Sequence, residues 1–326
     1  MILHLRFVRT ALSFAITLAA APGCQVGCIE DGSGTTCSAK SLERFDAAAP
    51  PVQAFDRAPG QGVTIDVLYG NVLVQRSPSA KIEVQFAPFV YAGYGERAKA
   101  EQQLAQNLRT STTSGGGIAV SVRRDGGTNG LGADAVVRLP DDFDGTLNII
   151  NHGRGPLNQF DVKVEFVGRA SAISVNNRSQ LGTCWIQGAP SVRSTTVQCA
   201  EDISVFDVAD DVSIESMEKR HDQDTPAVVL RLASVSPGSR GGTVTSASGA
   251  ISATFPGAGG YVIAASSPTK GSVQEGTLVQ SCVKEEASPA QKTIRCGNGP
   301  TYQLTAGAAP DYIGTPSDSN VLLEYR

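Results

Sequence analysis

The sequence predicts an all-β chain, a single-stranded β-solenoid with one short helix; a β-sandwich is the alternative. Three observations carry this. Short runs that alternate apolar and polar residues recur along the chain with Gly, Asn, Asp or Ser between them. The 35 glycines of the 326 residues are spread out, which suits many tight turns. Two distant blocks also echo each other. Arg138-Leu139-Pro140 precedes Leu147-Asn148-Ile149 at the same distance as Thr254-Phe255-Pro256 precedes Ile263-Ala264-Ala265.

Strand signals begin at Gly62. Val63, Ile65, Val67 and Tyr69 alternate with Thr64, Asp66 and Leu68, Gly70-Asn71 turns the chain, and Val72 and Val74 follow. Ile82, Val84 and Phe86 form the next run. Glu96 to Leu108 reads as the helix, with Ala100, Leu104 and Leu108 on one face and Ala98 and Ala105 beside it. Further strands centre on Val120, Val137, Ile149, Val164, Val175, Val205, Ile214, Leu230, Ala253, Ile263 and Leu304. Patterning is weak between Gln187 and Thr196. The final run, Asn320 to Tyr325, alternates well enough to pair within a sheet. In the solenoid reading each strand buries one face, and short turns stack successive coils over a continuous interior.

The early strands, Gly62-Val63-Thr64-Ile65 and Gly70-Asn71-Val72-Leu73-Val74, the single helix and the two Leu/Phe-Pro blocks resemble bacterial adhesin-like families of unknown function, the head-GIN auto-transporter adhesin type. The resemblance covers residues 60 to 326 and rests on pattern. It implies an exported or membrane-tethered β-solenoid and brings no catalytic residues with it. Met217 to Asp224 and Cys282 to Cys296 depart from that pattern.

The N-terminus has the layout of a secretory leader. Arg6 and Arg9 precede the uncharged run Ala11 to Ala21, then Pro22-Gly23-Cys24. The apolar run is shorter than the ~20 residues a spanning helix needs. It resembles a bacterial lipoprotein leader, with Cys24 as the lipidated (palmitate-type) residue, although Ala21 and Pro22 replace the usual residues before Gly23. The resemblance implies a cell-envelope location, with Gln25 pointing to the outer membrane; a secreted or periplasmic protein is the alternative. The domain reading is therefore 1–23 lipoprotein signal peptide, 24–61 flexible tether and 62–326 adhesin-like domain. Lipidation of one of the seven cysteines leaves six in three local couples: Cys28 with Cys37, Cys184 with Cys199, and Cys282 with Cys296. Disulfides are expected for all three in an oxidising compartment.

The search for chemistry assigns no catalytic, cofactor-binding or metal-binding residue. G-x-S-x-G and phosphate-loop motifs are lacking, and Gly126 to Gly132 reads as a turn. Asp142 and Asp144 offer a solenoid-corner calcium site against a plain polar turn. Lys219 to Asp224 is a mixed-charge excursion with one histidine. Phe89, Tyr91 and Tyr94 offer sugar stacking against core covering. Asp161, Lys163 and Glu165 read as the outer face of a strand. The formal charge of −4 without a basic stripe argues against nucleic acid. The function expected is a non-enzymatic envelope lipoprotein presenting a surface for adhesion or assembly to a protein or glycan partner, held to the membrane by its lipid. A carbohydrate-active enzyme or glycan-binding module is the alternative. A flat face of aligned Thr, Ser and Asn favours adhesion; converging carboxylates favour the enzyme.

Overall fold

The computed structural model describes residues 27–31, 34–38, 42–93, 96–126, 130–153, 159–217, 226–268, 271–278, 281–308 and 320–326, the first two as backbone alone. The fold is all-β with one helix among these residues. Strands β1 (Gly27–Asp31) and β2 (Gly34–Ser38) form an antiparallel hairpin, and the rest build two large mixed 12-stranded sheets. In chain order sheet I holds β3 (Leu42–Asp46), β4 (Gln53–Phe55), β6 (Val72–Arg76), β7 (Ile82–Gly93), β10 (Leu131–Leu139), β12 (Val162–Val164), β14 (Cys184–Gln187), β16 (Ile203–Ala209), β18 (Val228–Ser234), β20 (Ile251–Phe255), β22 (Val273–Glu275) and β26 (Val321–Tyr325). Sheet II holds β5 (Val63–Val67), β8 (Leu108–Ser114), β9 (Ile118–Arg124), β11 (Thr146–Asn151), β13 (Ala172–Asn177), β15 (Ser194–Cys199), β17 (Asp211–Ser216), β19 (Gly241–Ser246), β21 (Tyr261–Ser266), β23 (Val283–Ser288), β24 (Gln291–Cys296) and β25 (Thr301–Ala306).

From β11 to β20 the chain changes sheet after every strand. Each strand pairs in parallel with the one two places on. The two echoing blocks have the same job here. Leu139 ends β10 and Phe255 ends β20, and the following proline starts the crossing from sheet I to sheet II. At both ends one strand pair is out of sequence order. β5 and β6 lie between the β9/β10 pair and the β11/β12 pair; β25 and β26 lie between β19/β20 and β21/β22. The last strand is thus paired on both sides, with Val321 and Leu323 buried, as its alternation predicts.

Both sheets turn their apolar faces to one shared core. The alternation seen in sequence becomes ladders. Val72, Val162, Cys184, Ile203, Val228, Ile251 and Val321 align across sheet I, and Ile65, Ile149, Val175, Val197, Ile214, Val244 and Leu304 across sheet II. Each aliphatic residue so buried contributes about 1.5–3 kcal/mol of transfer free energy. Gly70 is needed at its turn: its φ is +147°, and a Cβ there would sit 2.1 Å from the Ala133 carbonyl oxygen.

Helix α1 (Arg97–Asn107) joins β7 of sheet I to β8, the edge of sheet II. Ala100 is buried against Val90, Ala92 and Leu131, with Leu104 and Phe45 beside it. Leu108, expected on the helix, is the first residue of β8. The second half of the expected tether is also corrected: β3 and β4 pair antiparallel with β7, so from Leu42 onward the segment is bound to sheet I. Pro50-Pro51 splits these strands into pieces too short to register as alternation, while Phe45 and Phe55 pack against apolar neighbours.

Candidate functional site

The two sheets present unlike outer faces. On sheet II the outward residues of successive strands form a row of Thr64, Asn148, Ser174, Thr196, Ser213, Thr243 and Gln303, nearly all exposed. A second row runs through Asn176, Gln198, Glu215, Thr245 and Thr305. Its amides bond along the row: Asn176 Nδ2 donates to Gln198 Oε1 (3.3 Å) and Gln198 Nε2 to Glu215 Oε2 (2.9 Å). Parallel in-register pairing creates this regularity, because it sets like positions about 4.8 Å apart. At the row's far end Asp66 pairs with Arg123 and meets His152 Nε2 at 2.9 Å. The Arg123 bonds, against burial, hold the Asp66 carboxyl below its ordinary range.

On sheet I the corresponding row runs Val136, Leu73, Lys163, Trp185, Ser204, Val229, Ser252 and Leu322. Most of these side chains are half-buried by their neighbours. Trp185, the only tryptophan, lies 6.0 Å from Phe206 ring to ring. Lys163 Nζ stands 5.5 Å from the Trp185 centroid, and the Arg231 guanidinium 5.0 Å from that of Phe206. Next to Phe206 the β16–β18 register slips, and Asp207 takes a left-handed backbone with φ 58°. Its carboxylate accepts from Arg231 Nε (2.8 Å), Arg231 Nη2 (2.5 Å) and Gln187 Nε2 (2.9 Å). Burial pushes this carboxyl up, but those bonds outweigh it and hold it below its ordinary range.

The cysteines divide. Cys24 lies outside the described residues. The backbone sets Cys28 directly opposite Cys37 across the β1–β2 hairpin. Cys282 and Cys296 are joined, clasping the β23–β24 edge hairpin. Cys184 and Cys199 are not: they are two free, buried thiols rather than the expected disulfide. Burial, then the neighbouring Cys199 sulfur, raises the Cys184 thiol well above its ordinary pKa. Cys199 Sγ donates to the Gly182 carbonyl at 3.2 Å. It thereby joins a buried polar row that sequence reasoning missed, Asn151, Asn177, Cys199, Ser216 and Ser246, at the ends of successive sheet II strands. These side chains bond the turns that leave the sheet. Asn151 donates to the Gly70 carbonyl, Asn177 to those of Phe160 and Thr183, and Ser216 to that of Glu201. Local pairing along the sequence had pointed to a cross-link, whereas the thiols serve turn and core. An apolar-polar-apolar run that ends in Asn, Cys or Ser just before a turn was the available signal.

Other candidates fall into place. Phe89 is buried with Tyr69 and Phe160, so it covers core rather than stacking on ligand; Tyr91 packs beside them, and Tyr94 is outside the described residues. Asp142 and Asp144 are bound by Arg57, at 2.6 and 2.5 Å, and Asp144 also accepts from the Gly60 amide at 2.9 Å; these carboxylates clasp the chain entering β5. Lys163 and Glu165 pair at 2.6 Å on the outer face, and Asp161 accepts from the Thr183 amide. Lys219 to Asp224 lies outside the described residues. Gly126 and Gly130 belong to the connection between β9 and β10. Among the described residues no His, Cys, Asp and Glu gather into a metal-binding group, and no helix is long and apolar enough to cross a membrane.

No protein family matches the chain, and no curated protein does. Similar solved structures include two candidate adhesion proteins. One is a candidate cell adhesion protein from Clostridium sporogenes, with 9% identity and a TM-score of 0.30 over 88% of this chain and 100% of that one. The other is a candidate adhesin from Bacteroides fragilis, with 11% identity and a TM-score of 0.33 over 87% of this chain and 97% of that one. At these scores the similarity decides neither fold nor activity.

Proposed function

We propose that this protein is a non-enzymatic bacterial envelope lipoprotein, a β-solenoid anchored through Cys24 to the outer membrane that presents a flat surface for adhesion or assembly. The parallel pairing of every second strand supports the solenoid reading over a sandwich, whose packed sheets are antiparallel. The observation that carries the function is the outer face of sheet II, where Thr, Ser, Asn and Gln repeat strand by strand. Such a face offers many weak, evenly spaced hydrogen bonds to an extended partner, and affinity comes from their number.

Co-sedimentation of the purified protein with isolated bacterial envelopes tests this. The double variant Thr196→Lys, Ser213→Lys is expected to fold normally and to lose binding. Equal binding by the variant sinks the reading of this face. Mass spectrometry of the native N-terminus is expected to show a lipid-modified Cys24; an unmodified terminus removes the anchor.

A further inference from the structure

We propose that β8 is a self-association strand: it pairs antiparallel with β8 of a second copy about a two-fold axis and joins two sheets II into one. This pairing is independent of whether the outer face of sheet II binds a partner. Sheet I ends in β22 and in β3 with β4, and sheet II ends in β23 and β8. An edge strand shows a row of unpaired N–H and C=O groups, which proteins blunt with short strands, charges, prolines or bulges. Three of these edges are blunted. β22 has three residues. Pro50-Pro51 lies between β3 and β4, and β3 carries Glu43, Arg44 and Asp46. β23 carries Lys284, Glu285 and Glu286 and slips register after Glu286. β8 has none of these devices beyond Arg109. Its seven residues run Leu-Arg-Thr-Ser-Thr-Thr-Ser in unbroken register with β9. Among the described residues, no element other than β9 bonds its backbone between Arg109 and Ser114.

Two features point to a second copy as the occupant of this edge. The first is an orphaned hydroxyl. Thr110 and Thr112 stand directly across from the buried Val122 and Val120, so the interior ends here in hydroxyls. Thr112 Oγ1 is buried and has no hydrogen-bond partner among the described residues. Polar atoms so placed are nearly always bonded. Antiparallel pairing centred on Ser111 sets Thr112 opposite Thr110 of the second copy, and Thr110 opposite its Thr112. Each orphaned hydroxyl then meets another across the ladder, a favourable cross-strand pair. No other described edge strand carries a row of hydroxyls.

The second feature is charge. In that register Arg109, held by Asp125 at 2.9 Å, faces Thr113 of the second copy, Ser111 faces Ser111, and no like charges meet. The charged row of β23 finds no complement on β8, which works against head-to-tail stacking and favours a pair closed on itself. A two-fold axis perpendicular to the sheet leaves the exposed rows Thr64 to Gln303 of both copies on one side. The pair then offers one continuous face, with twice the contacts for an extended partner.

Analytical ultracentrifugation of the purified full chain between about 1 and 500 µM is expected to show a monomer–dimer equilibrium and nothing larger. Ser111 is exposed, so its substitution leaves the core untouched. Ser111→Lys and Ser111→Glu each set like charges against each other at the axis. Each is expected to weaken the dimer about tenfold or more while melting like the parent. Mixing the two variants opposes Lys to Glu and is expected to restore the dimer. A parent that stays monomeric at about 500 µM overturns the proposal. So does a dimer that is equally stable in both variants, which places self-association on another surface, and so does a mixture that stays monomeric. A series of growing oligomers assigns the edge to head-to-tail pairing and equally overturns it.

Discussion

The inner faces of the two sheets are alike, and their outer faces are not. Inside, both are ladders of Val, Ile and Leu closed over one core. Outside, the central strands of sheet II carry one exposed row of uncharged polar residues, Thr64 to Gln303, whereas the corresponding row of sheet I carries Leu, Trp and Val that half-cover one another. The same strand geometry built both, so the fold does not impose either outer composition. A polar outer face needs nothing beyond water. An apolar one exposes area that folding gains by hiding, and on sheet I these side chains half-cover one another.

This contrast can be broken in stages. The largest effect is expected from deleting residues 320 to 326. The deletion removes β26 from between β20 and the edge strand β22 of sheet I, yet the shared core means sheet II should unfold with it, in one transition. A truncated protein that melts like the full chain, or in two separate steps, would show that the sheets do not depend on each other. Next comes a neighbouring pair on β17. Ile214→Ala, in the core, should cost about 2–5 kcal/mol in urea unfolding. Ser213→Ala, one residue away and outward, should stay within about 0.5 kcal/mol. Similar costs for the two would mean that the outer row is structural. The smallest effect is expected on acidification. Asp66 on sheet II and Asp207 on sheet I are both held below their ordinary range. Their contribution to stability is therefore present above the unfolded carboxylate pKa near 3.9 and is lost as pH falls through the lower folded values. NMR titration of the two carboxyl groups should show midpoints below the ordinary one. Ordinary midpoints would remove this pH dependence.

Much of the strand inventory was legible because alternation is a local property. Val63 to Val67 or Val212 to Ile214 declare a buried face within five residues. The strands that escaped notice are those whose inward positions are not strongly apolar. β15 reads Ser-Thr-Thr-Val-Gln-Cys, with Val197 as its one aliphatic residue, and β19 begins with two glycines. Each is held by parallel partners on both sides, which supply the context its own residues lack. The same limit explains Cys184 and Cys199. Fifteen residues of separation suggested a local bridge, but one cysteine stands at the start of a sheet I strand and the other at the end of a sheet II strand, where a thiol serves the turn.

By itself, then, the sequence determined the all-β class, the positions of most strands, the helix and the pairing of the last strand. Period-two alternation and turn residues act over a few positions and need no partner to be read. Only the tertiary structure decided which strands are neighbours, that the first and last strand pairs are inserted within the stack, and that Trp185 and Phe206 share one outer face with Asp207 and Arg231. Those relations join residues up to 90 positions apart, as Val72 and Val162 are, and the register that aligns them is fixed by packing across the whole core.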